Sequence, residues 1–276
     1  MLAYLEAFGC AVCYGLGSVL QATSARQTPA GDRLEAAVLV RVTTRLPYLV
    51  GLALDFAGWG LSLLALDRLP LFAVQAVVAS AIGVAVVVNS VLTKTWPGRA
   101  RSQALVTLAL GLVLLALAAG PGRARPPSVG FQVALWLGIP AVAAVGAWSA
   151  RLGGKVAVTL LGVASGLGFG GTALCARALE SAPSVWAVAT HPLTAALLAY
   201  GALGIGLFAA ALQRGSMTLA LSCQYAAETV VPAAVGLAFL GDHARSGWEA
   251  GAWLGFAVTL VSVLWLAAVT TDVAAA

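Results

Sequence analysis

Long runs of apolar residues recur along this chain of 276 residues and leave few ways in which it can fold. A run of about 18 or more apolar residues can cross the hydrocarbon core of a bilayer as a helix. Only 9% of the residues are charged, against the ~25% typical of soluble domains, and the mean hydropathy is +0.97. Because so few polar groups cannot cover a water-facing surface, lipid must cover it. The sequence therefore predicts an all-α polytopic membrane protein.

The apolar runs predict about nine transmembrane helices. They lie at 4–23, 47–67, 70–92, 103–120, 131–149, 157–178, 193–213, 217–240 and 248–270. The longest polar interval, from about 24 to 46, is too short for a soluble domain. We therefore expect the chain to be embedded in the lipid bilayer, which is its predicted partner.

The distribution of cations predicts the orientation of the chain. Loops after the first, third, fifth and seventh predicted spans hold ten of the 15 Lys and Arg residues. Since cytoplasmic loops carry the excess, we expect the N-terminus outside and the C-terminus in the cytoplasm. The bias towards Ala, Gly, Val, Leu and Arg is typical of GC-rich bacterial genomes, which favours a bacterial plasma membrane. The cations are scattered instead of gathered on one soluble face, so no nucleic-acid partner is predicted.

Three short stretches of sequence occur twice, in the same order and at nearly constant separation. The pairs are "GLGSVLQATSAR" (15–26) with "GLGFGGTALCAR" (166–177), "GWGLSLLALDR" (58–68) with "GIGLFAAALQR" (204–214), and "ARSQALVTLALG" (100–111) with "ARSGWEAGAWLG" (244–255). One such match is weak in an Ala/Leu/Gly-rich chain. Three in register indicate an internal duplication.

Five predicted spans separate the start of one copy from the start of the other, so the copies enter the membrane from opposite sides. We therefore predict a four-helix repeat over 1–125, a connecting transmembrane helix over 126–152 and a second, inverted four-helix repeat over 153–276. Inverted repeats allow outward-open and inward-open states of similar energy. This arrangement is typical of transporters.

The glycines of "GLGFGG" have two interpretations. Gly166, Gly168 and Gly171 have the spacing of a dinucleotide-binding loop, but that loop needs a preceding strand and a helix end open to a soluble crevice. Gly162, Gly166 and Gly170 are four residues apart, which places them on one helix face and allows close helix approach in lipid. We expect packing, and no cofactor is predicted.

Four spans, a connector and four inverted spans resemble the drug/metabolite transporter superfamily. The nine-span count and external N-terminus are most similar to its NIPA-type magnesium transporter branch. The likeness is carried by the small-residue first span, by "LPYLVGLALDFAGWGLSLLALDRLPLFAVQ" (46–75) and by the following span, which ends at Leu92. This resemblance implies a secondary transporter with Mg²⁺ as a candidate substrate.

Two ionisable residues lie inside apolar runs, where an isolated charge is expensive. Asp55 is roughly 12 Å into the second predicted span at 1.5 Å per residue, and Glu228 is near the middle of the eighth. Each is either a neutral carboxyl hydrogen-bonded to a neighbouring helix or a group that binds a ligand, a cation or a coupled proton. Asp55 and Glu228 are also the candidate ligands for a metal ion.

Amides and hydroxyls in the spans complete the candidate binding set, namely Gln75, Asn89, Gln224, Tyr225, Ser18 and Gln21. Such oxygen ligands suit a hard cation such as Mg²⁺, and they equally suit a small polar metabolite. Pro232 lacks the N–H that bonds the carbonyl of Glu228, and its counterpart in the first copy falls near Gly83. Helix breaks at matching places indicate a midplane binding site, although an ordinary proline kink remains the alternative.

Three functions remain open from the sequence. The first is a secondary transporter that moves a small polar solute or a divalent cation by alternating access. The second is a flippase or handler of a lipid-linked carrier, and the third is a non-transporting membrane partner protein. No nucleophile–base pair is visible, so an enzyme is not predicted. The oligomeric state is left open.

Overall fold

The computed structural model describes residues 2–27, 36–66, 81–118, 127–179, 184–240 and 244–269. Within these ranges the protein is helical and contains no β-strand. The helices are α1 (Leu2–Arg26), α2 (Ala36–Thr43), α3 (Leu46–Leu66), α4 (Ala81–Thr93), α5 (Arg99–Ala118), α6 (Val129–Ser149), α7 (Gly154–Leu179), α8 (Val185–Thr190), α9 (Pro192–Arg214), α10 (Met217–Val235) and α11 (Glu249–Val269). A π-helical segment, Gly236–Leu240, follows α10.

Five helices in the described part of the chain are long and apolar enough to cross a membrane. They contain the stretches Leu5–Arg26, Val129–Ser149, Gly154–Leu179, Pro192–Arg214 and Glu249–Leu266. Two shorter apolar stretches lie at Leu46–Leu61 in α3 and at Ala81–Thr93 in α4. The all-helical fold is therefore confirmed for the described residues, and its long apolar helices fit a membrane protein, whereas nine spans in two inverted repeats stay a prediction. The remaining predicted spans coincide with α3, α4, α5 and α10, and residues 70–80 of the third span lie outside the described residues.

Local hydrogen bonds fix several helix ends. Ser128 and Ser184 each accept a hydrogen bond through the side-chain oxygen from the backbone N–H three residues further on. This satisfies one of the N–H groups that an α-helix leaves unpaired at its start. α4 ends at Thr93. The next residue, Lys94, has a left-handed backbone conformation with φ of 54°, and the N–H of Thr95 donates to the carbonyl of Ser90 over 3.2 Å. That bond closes a Schellman motif, so the boundary of α4 is set locally.

The helices pack in three groups that share one core. α1 packs against α3 and α4, α7 packs against α6, α9 and α10, and α5 packs against α11. The buried core is built largely from α7, α9 and the first half of α10, and α1 reaches it through contacts with α9 and α10. Only 17% of the apolar stretch of α6 is buried, so most of that helix faces outwards. An outward apolar face of this kind suits lipid.

The glycines of α7 are packing residues, as the sequence predicts. A Cβ at Gly166 would lie 2.4 Å from the carbonyl oxygen of Gln224 on α10. On another face of α7, a Cβ at Gly168 would lie 2.8 Å from the Cα of Gly204 on α9. Any side chain at these positions would push the backbones apart. Helix association in lipid depends on such close contact, so it would be weakened.

α5 and α11 cross each other through a reciprocal pair of glycines. A Cβ at Gly111 would lie 2.8 Å from the backbone N of Thr259, and a Cβ at Gly255 would lie 3.0 Å from the backbone N of Leu115. The hydroxyl of Ser262 is hydrogen-bonded to that of Thr107 over 3.0 Å. Along α5 from Thr107 through Gly111 to Leu115, the contacted residues on α11 run in the opposite order, namely Ser262, Thr259 and Gly255. The two helices are therefore antiparallel.

Replacement of Gly111 by alanine tests this crossing. The added methyl group meets the backbone of Thr259, so G111A should lose about 1–3 kcal/mol of unfolding free energy through overpacking. The matched control is G60A on α3, where an added Cβ meets nothing within 4 Å. G60A should be as stable as the original chain or slightly more stable, since alanine is the better helix former. Thermal and SDS unfolding of the purified variants measure the difference, and equal stability of the two variants contradicts the crossing.

Candidate functional site

Asp55 lies between α1 and α3, where it is hydrogen-bonded to Gln21 and where two glycines leave room for its side chain. The Nε2 of Gln21 on α1 donates to Oδ2 of Asp55 over 2.5 Å. A Cβ at Gly17 would lie 2.6 Å from Oδ1 of Asp55, and a Cβ at Gly51 would lie 2.8 Å from Cγ of Gln21. The two glycines therefore leave the space that the amide–carboxyl pair fills. This pair joins two different helices.

Glu228 also has an amide partner, but on its own helix. The Nε2 of Gln224 donates to Oε2 of Glu228 over 3.4 Å, one turn earlier in α10. The Oε1 of Gln224 is buried and has no hydrogen-bond partner in the described part of the chain, and only 9% of the residue is exposed. A buried amide oxygen without a donor is costly, so it marks a place where a hydrogen-bond donor is missing.

The two carboxyls belong to one cluster. Asp55 and Glu228 interact electrostatically with each other, and both interact with the hydroxyl groups of Tyr14 and Tyr225. We call this set the acidic cluster, and it consists of Gln21, Asp55, Gln224 and Glu228 with the tyrosines Tyr14 and Tyr225. Its members lie on α1, α3 and α10, and α1 packs against both of the other helices, so the acids come from both halves of the sequence.

Tyr14 is the member of the acidic cluster that the sequence did not reveal. Its ring packs on α3, where a Cβ at Gly58 would lie 3.1 Å from its Cε1, and its hydroxyl is hydrogen-bonded to Cys10. The sequence spacing could have indicated its role. Tyr14, Ser18 and Gln21 follow one another at helical intervals of four and three residues, so they share a face of α1.

The other candidate binding residues have different surroundings. Ser18 is buried, and its hydroxyl donates to the carbonyl of Tyr14 over 2.8 Å, one turn back in α1. Asn89 is half-buried on α4, and its backbone carbonyl accepts from the hydroxyl of Thr93. No hydrogen bond joins the side chain of Asn89 to the acidic cluster among the residues that the structure describes. Gln75 lies outside the described residues.

The two candidate helix breaks lie inside helices. Gly83 is part of α4, which is continuous from Ala81 to Thr93. Pro232 is part of α10, which keeps its α-helical form to Val235 and then becomes the π-helical segment. Pro232 offers no N–H to the carbonyl of Glu228, so that carbonyl lacks its usual intrahelical donor. The irregularity of α10 thus begins one turn after the proline.

The acidic cluster can bind a proton or a cation. No Lys or Arg is among the groups that act on Asp55 or Glu228 within the described ranges. An isolated carboxylate is costly in such surroundings, so a bound positive charge stabilises the ionised form. Among the described residues, no three or more His, Cys, Asp or Glu side chains are grouped so that they could hold a metal ion. A metal ion between Asp55 and Glu228 would therefore take its other ligands from the free oxygen of Gln224, from backbone carbonyls and from water.

Comparison with known proteins yields no relative for this chain. No protein-family model, no curated protein and no solved structure matches it. The functional argument therefore comes from the geometry of the acidic cluster and from the arrangement of the helices.

Proposed function

We propose that the protein is a secondary membrane transporter that moves a small polar solute or a divalent cation by alternating access. The observation that carries this proposal is the acidic cluster, in which Asp55 from the first half of the chain and Glu228 from the second half interact. Ionisable residues inside membrane helices are costly and usually mark the pathway of an ion or a substrate. A site shared by both halves can be exposed to either side when one half rocks against the other.

The packing of the two halves supports the internal duplication. α1 packs on α3 and α4 in the same way that α7 packs on α9 and α10. Gly15 faces α4 as Gly166 faces α10, and Gly17 faces α3 as Gly168 faces α9. Glycines that match in the repeated sequence therefore serve matching neighbours, which is the pattern expected of two copies of one unit.

The antiparallel crossing of α5 and α11 supports opposite orientation of the copies. These helices carry the third repeated stretch, and Gly111 and Gly255 are matching positions within it. Two copies related by an axis in the membrane plane would place matching helices antiparallel and make their contacts reciprocal, as observed at Gly111 and Gly255. The proposal therefore keeps nine spans in two inverted repeats, in a bacterial plasma membrane, with the N-terminus outside.

An open groove on the surface of the helix bundle favours the handling of a lipid-linked carrier as the second candidate function. It has a volume of about 290 Å³ and is lined by Lys155, Val156, Thr159, Leu160 and Ala268 from α7 and α11. Its walls are almost entirely apolar, as an acyl or prenyl chain requires. Loss of lipid movement, but not of solute uptake, on replacement of Leu160 by tryptophan would favour this candidate.

Uptake into proteoliposomes tests the role of the carboxyls. With Mg²⁺ and then a panel of polar metabolites outside, E228Q and D55N should each lower the uptake rate about tenfold or more, which corresponds to ~1.4 kcal/mol of lost interaction. E249Q is the matched control, because Glu249 is exposed at the start of α11. It should transport at the original rate. Unchanged uptake in both E228Q and D55N removes the acidic cluster from the pathway.

Cysteine labelling tests the inverted topology. In a background without the four native cysteines, single cysteines are placed at Gln27, Ser128 and Gly153, which lie at the ends of α1 and α6. With nine spans, an impermeant maleimide should label positions 27 and 153 from one side of the membrane and position 128 from the other.

The same labelling identifies the competing topology. If only the five long apolar helices cross, positions 27 and 128 share a side and position 153 lies opposite. α1 and α7 would then cross in the same sense, and the inverted repeat would be excluded.

A further inference from the structure

The groove of about 290 Å³ separates α7 from α11, two helices that do not pack closely on each other. Within the described ranges, the close neighbours of α7 are α6, α9 and α10, and those of α11 are α5 and α10. The groove therefore runs between two helices that share α10 as a neighbour. An apolar gap at the surface of a membrane bundle is filled by lipid chains, since water finds no hydrogen-bond partners there.

The walls of the groove offer apolar contacts to a hydrocarbon chain. Thr159 brings the one hydroxyl group among the lining residues, and this hydroxyl is hydrogen-bonded to Cys223 on α10. The opposite wall is Ala268 on α11, and Leu264 is exposed one turn before it on the same helix. An acyl chain that leaves the groove therefore continues along an apolar surface.

One end of the groove carries a positive charge. Lys155 is exposed at the start of α7 and lines the groove together with Ala268 from the last turn of α11. No acidic residue is among the lining residues that the structure describes, and the sequence contains no Asp or Glu between Asp67 and Glu180. A groove that is apolar along its walls and cationic at its end complements an amphiphile with an anionic head.

The cationic end of the groove lies where a membrane–water interface is expected. Trp148 is exposed at the end of α6, and only the short turn 150–153 separates α6 from α7. Tryptophan is enriched at the interface, and lysine near a helix end extends its head towards it. In the predicted orientation this end faces the cytoplasm, where basic pockets between transmembrane helices bind the heads of anionic lipids.

The amount of charge distinguishes two kinds of anionic lipid. The groove offers one cation, Lys155, which matches the single negative charge of a phosphodiester. A phosphate monoester, the head of a polyprenyl phosphate carrier, carries about 1.5 to 2 negative charges at neutral pH. A single lysine would leave part of that charge unpaired, so a phospholipid fits the groove better than a carrier lipid.

We propose that the groove between α7 and α11 binds an anionic phospholipid, whose acyl chain lies along the apolar walls and whose phosphate pairs with Lys155. The lipid is a bound component of the bundle and not its cargo, so this inference goes beyond the transporter proposal and does not depend on it. Because the lipid fills the space between two helices that otherwise meet only through α10, it stabilises the second half of the chain.

Lipid binding to the full, delipidated chain in detergent micelles tests the assignment without any transport. The probes are dioleoylphosphatidylglycerol, dioleoylphosphatidylcholine, undecaprenyl phosphate and inorganic phosphate. Native mass spectrometry counts the bound molecules, and thermal unfolding measures the stabilisation that binding brings. Phosphatidylglycerol should bind about fivefold more tightly than phosphatidylcholine, which has the same acyl chains but no net charge, and it should raise the unfolding temperature most.

Variants locate the lipid in the groove. K155Q should weaken phosphatidylglycerol binding about fivefold and remove its preference over phosphatidylcholine, while K94Q, at the other lysine of the chain, should bind as the original does. A268W should block binding, because it fills the groove from its exposed wall. V87W places the same side chain on the exposed face of α4 and is its control. Thermal unfolding without lipid shows which variants are folded, and if A268W is not, K155Q and the lipid series still decide.

Four results overturn the assignment. Equal affinity for the two phospholipids removes the role of charge, and unchanged phosphatidylglycerol binding in folded K155Q and A268W removes the groove. Tighter binding of undecaprenyl phosphate than of phosphatidylglycerol assigns the groove to a carrier lipid instead. Displacement of phosphatidylglycerol by an equal concentration of inorganic phosphate shows that the acyl chain contributes nothing. The transporter proposal is tested separately, because none of these measurements requires flux.

Discussion

The acidic cluster depends on a close approach of helix backbones that only glycine permits. At Gly17 even one methyl group would lie 2.6 Å from Oδ1 of Asp55, and at Gly51 it would meet the side chain of Gln21. In lipid, helices gain little from the hydrophobic effect, so tight packing and interhelical hydrogen bonds hold them together. Between α1 and α3 the glycines permit the tight packing, and the space they leave allows the interhelical hydrogen bond from Gln21 to Asp55. A costly carboxyl is thereby kept inside the bundle.

The two acids are held in different ways, and the difference bears on movement. The amide partner of Asp55 is on another helix, so this acid is fixed to the α1–α3 pair. The partner of Glu228 is on the same helix, and Glu228 itself lies one turn before Pro232 and two turns before the π-helical segment. A shift of α10 against α1 would therefore change the separation of the two acids and break neither amide–carboxyl bond. Alternating access requires a change of this kind.

Parts of this structure could be predicted from the sequence because they follow from local rules. Hydropathy located the helices, and the four-residue spacing of Gly162, Gly166 and Gly170 identified a packing face. Asp55 and Glu228 could be predicted as site residues because charges are costly in apolar runs, and in the structure the two acids interact electrostatically. Each of these inferences needed only a few neighbouring residues.

The remaining features depend on contacts between distant parts of the chain. Gln21 and Asp55 are 34 residues apart, and nothing local pairs them. The role of Tyr14 was also hidden, because it depends on how α3 and α10 lie against α1. Five helices of the described residues are long and apolar enough to cross a membrane, and the nine predicted spans stay a prediction, because hydropathy windows do not show where an apolar helix ends. Gly83 and Pro232 show the same limit, because neighbouring helices can stabilise a helix through a weak position.

The reciprocal crossing of α5 and α11 restricts how the sequence can drift over generations. Gly111 lies against Thr259, and Gly255 lies against Leu115 four residues beyond Gly111. A larger residue at either glycine would press on the backbone of the opposite helix. The wider spacing of α5 and α11 would then also loosen the contact at the other glycine. Inherited changes at these four positions should therefore be correlated across descendants of this gene.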